Sequence, residues 1–398
     1  MTASTEKTTL WNKDYILVVL VNICASIGFY CVQPTLPRYV TSLGVSLTIA
    51  GVISGMFSIT ALICRPFTGV VADRVSPKKI LSVALPAEAI AGCCYGLFPS
   101  IPWLIACRLV HAIGFAFAGT VLIVYGSSFV PRERMGEGIG YLGMGNIAGT
   151  AIGPSLGLAF AGALGHKFAF IAGGLIIGLG FLLLTFTKET PRAEVKEKRS
   201  IDFTQLISVK LIPLSFLNGL FSFSNGLISS YLSMHADVQG VAGIGMYFTV
   251  LAVTMLLVRP TFGKINDRKG LVFAAVPGFI ASCVGLLIIA NAKSLPMFLV
   301  AAVLMAFGQG AAQPAFQTAC VRSLPNEQRG IATSTYYVFA DVFQGFGPMI
   351  GGSIATATSI GSTITYTPLY TIAAGVLAAG LVLFLLYINA QKKKGITY

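Results

Sequence analysis

Charge is scarce in this chain. Asp, Glu, Lys and Arg make up 10% of its 398 residues, against about 25% in a typical soluble domain. With 55% hydrophobic residues, that shortage excludes an ordinary water-soluble globule and points to a polytopic membrane protein. Acids are rarer still, 14 against 27 Lys and Arg, and there are three His. No His, Cys, Asp or Glu group has metal-ligand spacing, and no nucleophile stands near a base. No phosphate-cradling loop follows a strand signature. These absences argue against a metal site, a catalytic residue, an enzyme of any class and an ATP-driven pump. There is no soluble stretch long enough for a receptor's output domain, no cleavable leader before the first apolar run, and no Asn-x-Ser/Thr acceptor. The eight cysteines all fall in apolar runs and read as small packing residues.

What the chain does have is twelve apolar runs near the ~20 residues that a spanning helix needs. They cover roughly 15–40, 47–70, 79–98, 101–126, 136–162, 166–187, 209–234, 242–263, 271–292, 296–320, 330–356 and 366–390. The net charge of +13 is distributed by topology. With the N-terminus inside, 21 Lys and Arg fall in inner segments and three in outer ones, Arg38, Lys167 and Lys293. The positive-inside rule then predicts both termini in the cytoplasm, and the basicity carries no nucleic-acid footprint. Short loops and the missing glycosylation acceptor suit a bacterial cytoplasmic membrane. The expected fold is all-α and integral to the membrane, with twelve transmembrane helices.

The chain also repeats itself. Arg65-Pro-Phe-Thr-Gly69-Val-Val-Ala-Asp73-Arg74 returns 194 positions later as Arg259-Pro-Thr-Phe-Gly263-Lys-Ile-Asn-Asp267-Arg268. The same offset pairs Gly114 with Gly308, Pro131 with Pro325, Glu133 with Glu327, Gly136 with Gly330, and Gly153-Pro154 and Gly157 with Gly347-Pro348 and Gly351. An ungapped repeat of nearly half the length predicts two pseudo-symmetric six-helix halves, 1–187 and 209–398, joined by a cytoplasmic linker over 188–208.

Polar residues inside the runs mark the candidate sites. Asn22, Ser26, Phe29 and Gln33 share one helix face, as do Asn218, Ser222, Asn225 and Ser229, and again Gln309, Gln313 and Gln317. Such stripes turn to the bundle interior, either lining a cavity or joining helices. Tyr337, Asp341, Gln344 and Pro348 form another, and Tyr30 and His111 are further cavity candidates, although a packing role suits His111 better. Asp341 and Glu88 are the two acids placed deep in the membrane. A deep carboxyl serves either as a proton site or as a hydrogen-bonder to a neighbouring helix. Arg108 cannot shed its proton, and Glu88 is its expected partner. Arg65, Gly69 and Asp73 share a face, with Arg65 expected to snorkel to the inner surface and the motif to latch helices. Glycines 145, 149, 153 and 157 form a continuous groove for close helix packing, with Pro154 bending the axis, and Pro34 and Pro37 predict a kink in the first span.

Together these features resemble the major facilitator superfamily along essentially the whole chain. The stretch Gly69 to Lys79 is similar to that superfamily's signature between helices two and three, with Val71 for the usual Leu and Ser76-Pro77 around the usual Gly. The resemblance implies a conformational-switch role for Arg65, Gly69, Asp73, Arg74, Gly263, Asp267 and Arg268. Arg108-Leu-Val-His-Ala-Ile-Gly114 resembles the helix-four motif whose Arg is tied to proton coupling, with His111 and Ala112 departing from it. Gly149, Gly153, Pro154 and Gly157 resemble the helix-five antiporter motif, with Leu158 at its last Gly. The family implies alternating access in a monomer, a small-molecule substrate, lipid surroundings, and no cofactor beyond the proton gradient. The expected function is proton-coupled export of a small organic molecule or drug, with Asp341, Glu88 and Arg108 as coupling residues. Two alternatives share the fold: a proton symporter for a small polar nutrient, and a lipid or glycolipid flippase. The first span has Asn22 where exporters of cationic drugs often carry an acid, which favours neutral, zwitterionic or anionic solutes.

Overall fold

The computed structural model describes residues 10–131, 134–189, 207–325, 328–359 and 364–393, with the side chains of 69, 70, 72, 73, 136 and 329 also outside the description. Every regular element among the described residues is helical. The twelve runs become twelve membrane-length helices: α1 (Lys13–Ser42), α2 (Leu47–Arg74), α3 (Pro77–Cys94), α4 (Ile101–Ser127), α5 (Met135–Leu164), α6 (His166–Thr185), α7 (Ile212–Val238), α8 (Gly245–Lys269), α9 (Val272–Asn291), α10 (Leu295–Arg322), α11 (Arg329–Thr358) and α12 (Thr367–Lys393). Ten are apolar enough by length and composition to cross a membrane; α3 and α11 are the exceptions. These two carry Glu88 and Asp341.

Hydrocarbon enforces the helices, because each backbone N–H and C=O must be paired within its own segment. The ends are set locally. Asn12 caps α1 by accepting from the Tyr15 amide at 2.9 Å, and Ser46 caps α2. Pro77, Pro102, Pro213 and Pro296 sit in first turns, where a missing N–H costs nothing. Helix α1 breaks at Gln33-Pro34, and the Thr35 hydroxyl donates back to the Cys31 carbonyl at 3.0 Å. Helix α10 contains a π-turn over Gly308–Ala312, just before Pro314. The turn after α1 needs Gly44 at φ 80°, and the turn after α7 needs Gly240 at φ 68°.

Helices α1–α6 pack together, and so do α7–α12. The two groups meet along α2 with α11 and along α5 with α8. Their closest contacts gather at one end. Here the backbones touch: a Cβ on Gly51 would lie 2.1 Å from the Pro348 carbonyl, one on Gly55 2.0 Å from that of Gly345, and one on Gly352 2.2 Å from that of Leu47. Tyr231 Oη donates to the Pro348 carbonyl at 2.8 Å, Thr249 to that of Ala151 at 2.6 Å, and Arg38 pairs with Asp237. Near the opposite end, Gly140, Gly143, Gly263 and Gly330 have open space around them.

The glycine groove of α5 carries α1. Cβ atoms at Gly149, Gly153 and Gly157 would fall 2.6 Å from the Ser26 Cβ, 2.6 Å from the Tyr30 Cβ and 2.1 Å from the Cys31 carbonyl oxygen. Close approach at this seam fixes which face of α1 turns inward.

Candidate functional site: a central cavity between the halves

A cavity of about 350 Å³ opens between the two groups of helices, within the range of ligand-binding clefts. Phe29, Phe57, Phe115, Phe248, Leu251 and Met255 give it apolar walls. Of the candidates, Tyr30, Gln33, Ser222, Asn225, Gln309, Gln313, Tyr337, Asp341 and Gln344 all line it, as does Pro154. Several are mutually braced: Gln309 Nε2 donates to Asn225 Oδ1 at 2.7 Å, and Gln313 Nε2 to Ser222 Oγ at 3.3 Å. The π-turn of α10 includes Gln309 and ends immediately before Gln313. Such turns are frequent at functional sites because one residue is freed from the regular helical ladder.

Among the described residues, three charged ones line this cavity: Arg65, Arg259 and Asp341. Arg65 of α2 holds Asp341 of α11 through Nε at 2.5 Å and Nη2 at 3.2 Å. This bidentate pair crosses from one half to the other. The Tyr337 ring, one turn before Asp341, has its centroid 5.5 Å from the Arg65 guanidinium carbon. Arg65 therefore does not snorkel to the membrane edge as its position in the motif suggested. It turns inward because a carboxylate waits there, and a fork of two charge-assisted bonds outweighs a solvated end.

The remaining candidates divide. Asn22 and Ser26 line a separate chamber of about 70 Å³, bordered by Glu88, Phe115 and Asn146, instead of the central cavity. Phe115 and Asn146 belong to the walls of both. Asn218 and His111 are fully buried and reach neither space. The polar stripe placed Asn218 on the right helix, but neighbouring helices cover that turn, and His111, a candidate outside any stripe, is covered as the packing reading expected.

The expected Glu88–Arg108 pair does not form. Arg108 donates instead to the carbonyls of Ile53 at 3.2 Å and Ser54 at 3.0 Å, with its guanidinium carbon 4.4 Å from the Phe57 ring centroid. Both Glu88 oxygens are buried without a hydrogen-bond partner among the described residues. The nearest basic nitrogen is His111 Nε2 at 3.6 Å, and His111 Nδ1 lies 3.0 Å from Tyr95 Oη. Backbone carbonyls at the α2 turn compete for the arginine because they sit across its own helix face, whereas Glu88 points toward the small chamber.

Of the motif between α2 and α3, the side chains of Gly69 and Asp73 lie outside the described residues, and Arg74 is exposed. In the second copy, Asp267 pairs with Arg322 at 2.9 Å within the same half, on the surface. Gly263 faces open space and Arg268 is exposed.

Sequence reasoning missed Arg259 as a cavity residue. The signal was present, since Arg259 occupies in the repeat the position of Arg65 and both lie inside apolar runs.

The profile of the Major Facilitator Superfamily matches residues 18–338 and again 211–397. The chain belongs to the major facilitator superfamily. It is 28% identical over 386 residues to the multidrug resistance protein MdtG of Serratia proteamaculans, covering 92% of this chain and 93% of that protein. It is also 28% identical over 353 residues to the uncharacterized MFS-type transporter YhhS of Escherichia coli K12, covering 85% of each. Among solved structures, a mutant of the nucleoside transporter NupG superposes with a TM-score of 0.80 at 12% identity, over 94% of this chain and 99% of that one. A bacterial homologue of the lysosomal transporter Spinster gives 0.74 at 16%, over 96% of each. The superfamily member described here is thus a multi-pass membrane transporter of a small molecule and not an enzyme.

Proposed function

We propose that this transporter exports a small organic molecule in exchange for protons, by alternating access in a monomer. The observation that carries the reading is the Arg65–Asp341 pair. It joins the halves beside the cavity, so that proton occupancy of one carboxyl decides whether they are linked there. Ionised Asp341 holds Arg65; protonated Asp341 releases it, and the halves are freer to rock. The likeness to MdtG along nearly the whole chain supports the export direction. If the excess of inner Lys and Arg places both termini in the cytoplasm, the open end faces the cytoplasm and the seam with Arg38 and Asp237 faces outward. That is the state in which an exporter loads.

A second reading, proton symport of a polar solute, is favoured by one observation. Arg259 lines the same cavity as Asp341, and a substrate held by a cation there would share the cavity with a protonated carboxyl without competing for it. Everted vesicles carrying a pH-sensitive dye separate the two. Export by exchange gives dequenching when substrate is added to an energised, acidified lumen, and Asp341→Asn removes the response. Proton-driven uptake into right-side-out vesicles, with no dequenching in everted ones, would overturn export in favour of symport.

A further inference from the structure

The geometry points to Arg259 as the docking residue for an anionic group, so that the substrate is a small organic anion with an apolar body. This deepens the proposed function, since it rests on the reading of the central cavity as the substrate site. Among the described residues, two guanidiniums and one carboxylate line that cavity. Arg65 is committed to Asp341 by two hydrogen bonds. Arg259 is exposed to the cavity and has no hydrogen bond or ion pair among the described residues. Its electrostatic neighbours are the tyrosines 30, 336 and 337.

The repeat explains why it is left over. At the offset of 194, Arg65 corresponds to Arg259, and Asp341 corresponds to position 147. Position 147 is Ile147, which also lines the cavity. One half therefore supplies an acid for the arginine of the other, and the reciprocal acid is missing. A guanidinium cannot deprotonate to escape this position, and at the cavity wall it keeps a full positive charge with no protein anion to answer it among the described residues. An anion arriving from solution supplies what Ile147 does not. Carboxylate, phosphate and sulfonate all present two oxygens to the planar fork of an arginine. The walls choose the remainder of the ligand: Phe29, Phe57, Phe115 and Phe248 suit an aromatic or aliphatic body.

Three probes that share one body isolate the charge: 2-naphthoate, 2-naphthamide and 2-naphthylmethylammonium, titrated calorimetrically into the purified full-length chain in detergent. The naphthoate binds at least about tenfold more tightly than the amide, as a charge-assisted pair requires, and the ammonium binds more weakly than either. Arg259→Gln removes the preference. Ile147→Asp removes it too while retaining the guanidinium, which covers the case in which Arg259→Gln fails to fold. Equal binding of naphthoate and amide, failure of all three probes to bind, or a preference that survives both substitutions overturns the inference. Asp341→Asn keeps the proton reading separate. Retained naphthoate preference with lost proton movement supports both readings. Retained preference with proton movement intact leaves the anion site standing and refutes Asp341 as the coupling group.

Discussion

Asp341 on the eleventh helix accepts both a 2.5 Å and a 3.2 Å hydrogen bond from Arg65 on the second, and no other ion pair lines the cavity among the described residues. Because the partners belong to different halves, the pair acts on the relation between the halves more than on the folding of either. A double-mutant cycle of Arg65→Ala and Asp341→Ala should show a coupling of roughly 0.5–3 kcal/mol, the range for residues in direct contact. Thermal unfolding in detergent measures it. Strict additivity would mean the two side chains do not interact in the protein.

The Arg38–Asp237 pair closes the other end of the cavity, but its side chains are 25% and 46% exposed. Exposed pairs contribute about 0–1 kcal/mol, so Arg38→Ala should leave the melting temperature almost unchanged. A bias of that size still shifts a two-state population by up to about fivefold. A cysteine placed at Thr48, in a background lacking the native cysteines, should react correspondingly faster with a membrane-impermeant maleimide. An unchanged labelling rate would show that this pair does not hold the seam.

Gly157 and Gly162 lie on the same helix in opposite circumstances. A Cβ at Gly157 would meet the Cys31 carbonyl oxygen at 2.1 Å, whereas one at Gly162 meets nothing within 4 Å. Gly157→Ala should destabilise by about 1–3 kcal/mol, as overpacking does. Gly162→Ala should stabilise by roughly 0.5–1 kcal/mol through helix propensity. Opposite shifts in the unfolding temperature check both at once.

Arg108 feeds two carbonyls of α2 from inside the first half. Lysine keeps the charge but not the fork, so Arg108→Lys leaves one carbonyl contact unmade and a compact ammonium beside Phe57. A loss of about 1–3 kcal/mol is expected, read as a lowered melting temperature. An unperturbed melting temperature would mean that the charge alone matters.

Most of the architecture was legible in the sequence. Twelve runs became twelve helices, since hydrocarbon allows an apolar run of that length few other conformations. The groove along Gly145 to Gly157 was legible because i+4 spacing fixes a face whatever the surroundings. Partner choice was less so. Glu88 and Arg108 share a depth, yet depth does not reveal which helix turn an arginine faces, and the α2 carbonyls won. The stripe through Asn218 and Ser222 showed which face turns inward but not where the cavity ends along it: Ser222 lines the space, and Asn218, one turn away, is buried. Arg65 and Arg259 were hidden by familiarity, since they flank a loop motif and their side chains reach back from it into the interior.

The closed seam has one more implication. Where α2 meets α11, the touching atoms belong to glycines and carbonyls, namely Gly51, Gly55 and Gly352 against Pro348, Gly345 and Leu47. At this end the closest approaches are between backbones, so, apart from the Arg65–Asp341 pair, which belongs to both, the surfaces that slide and the surfaces that select a passenger are largely made of different residues. Outside that pair, the cavity lining can therefore be redrawn one position at a time, giving new cargo preferences while the rocking motion is inherited unchanged. A glycine in the seam offers no such latitude, because any side chain there is a wedge.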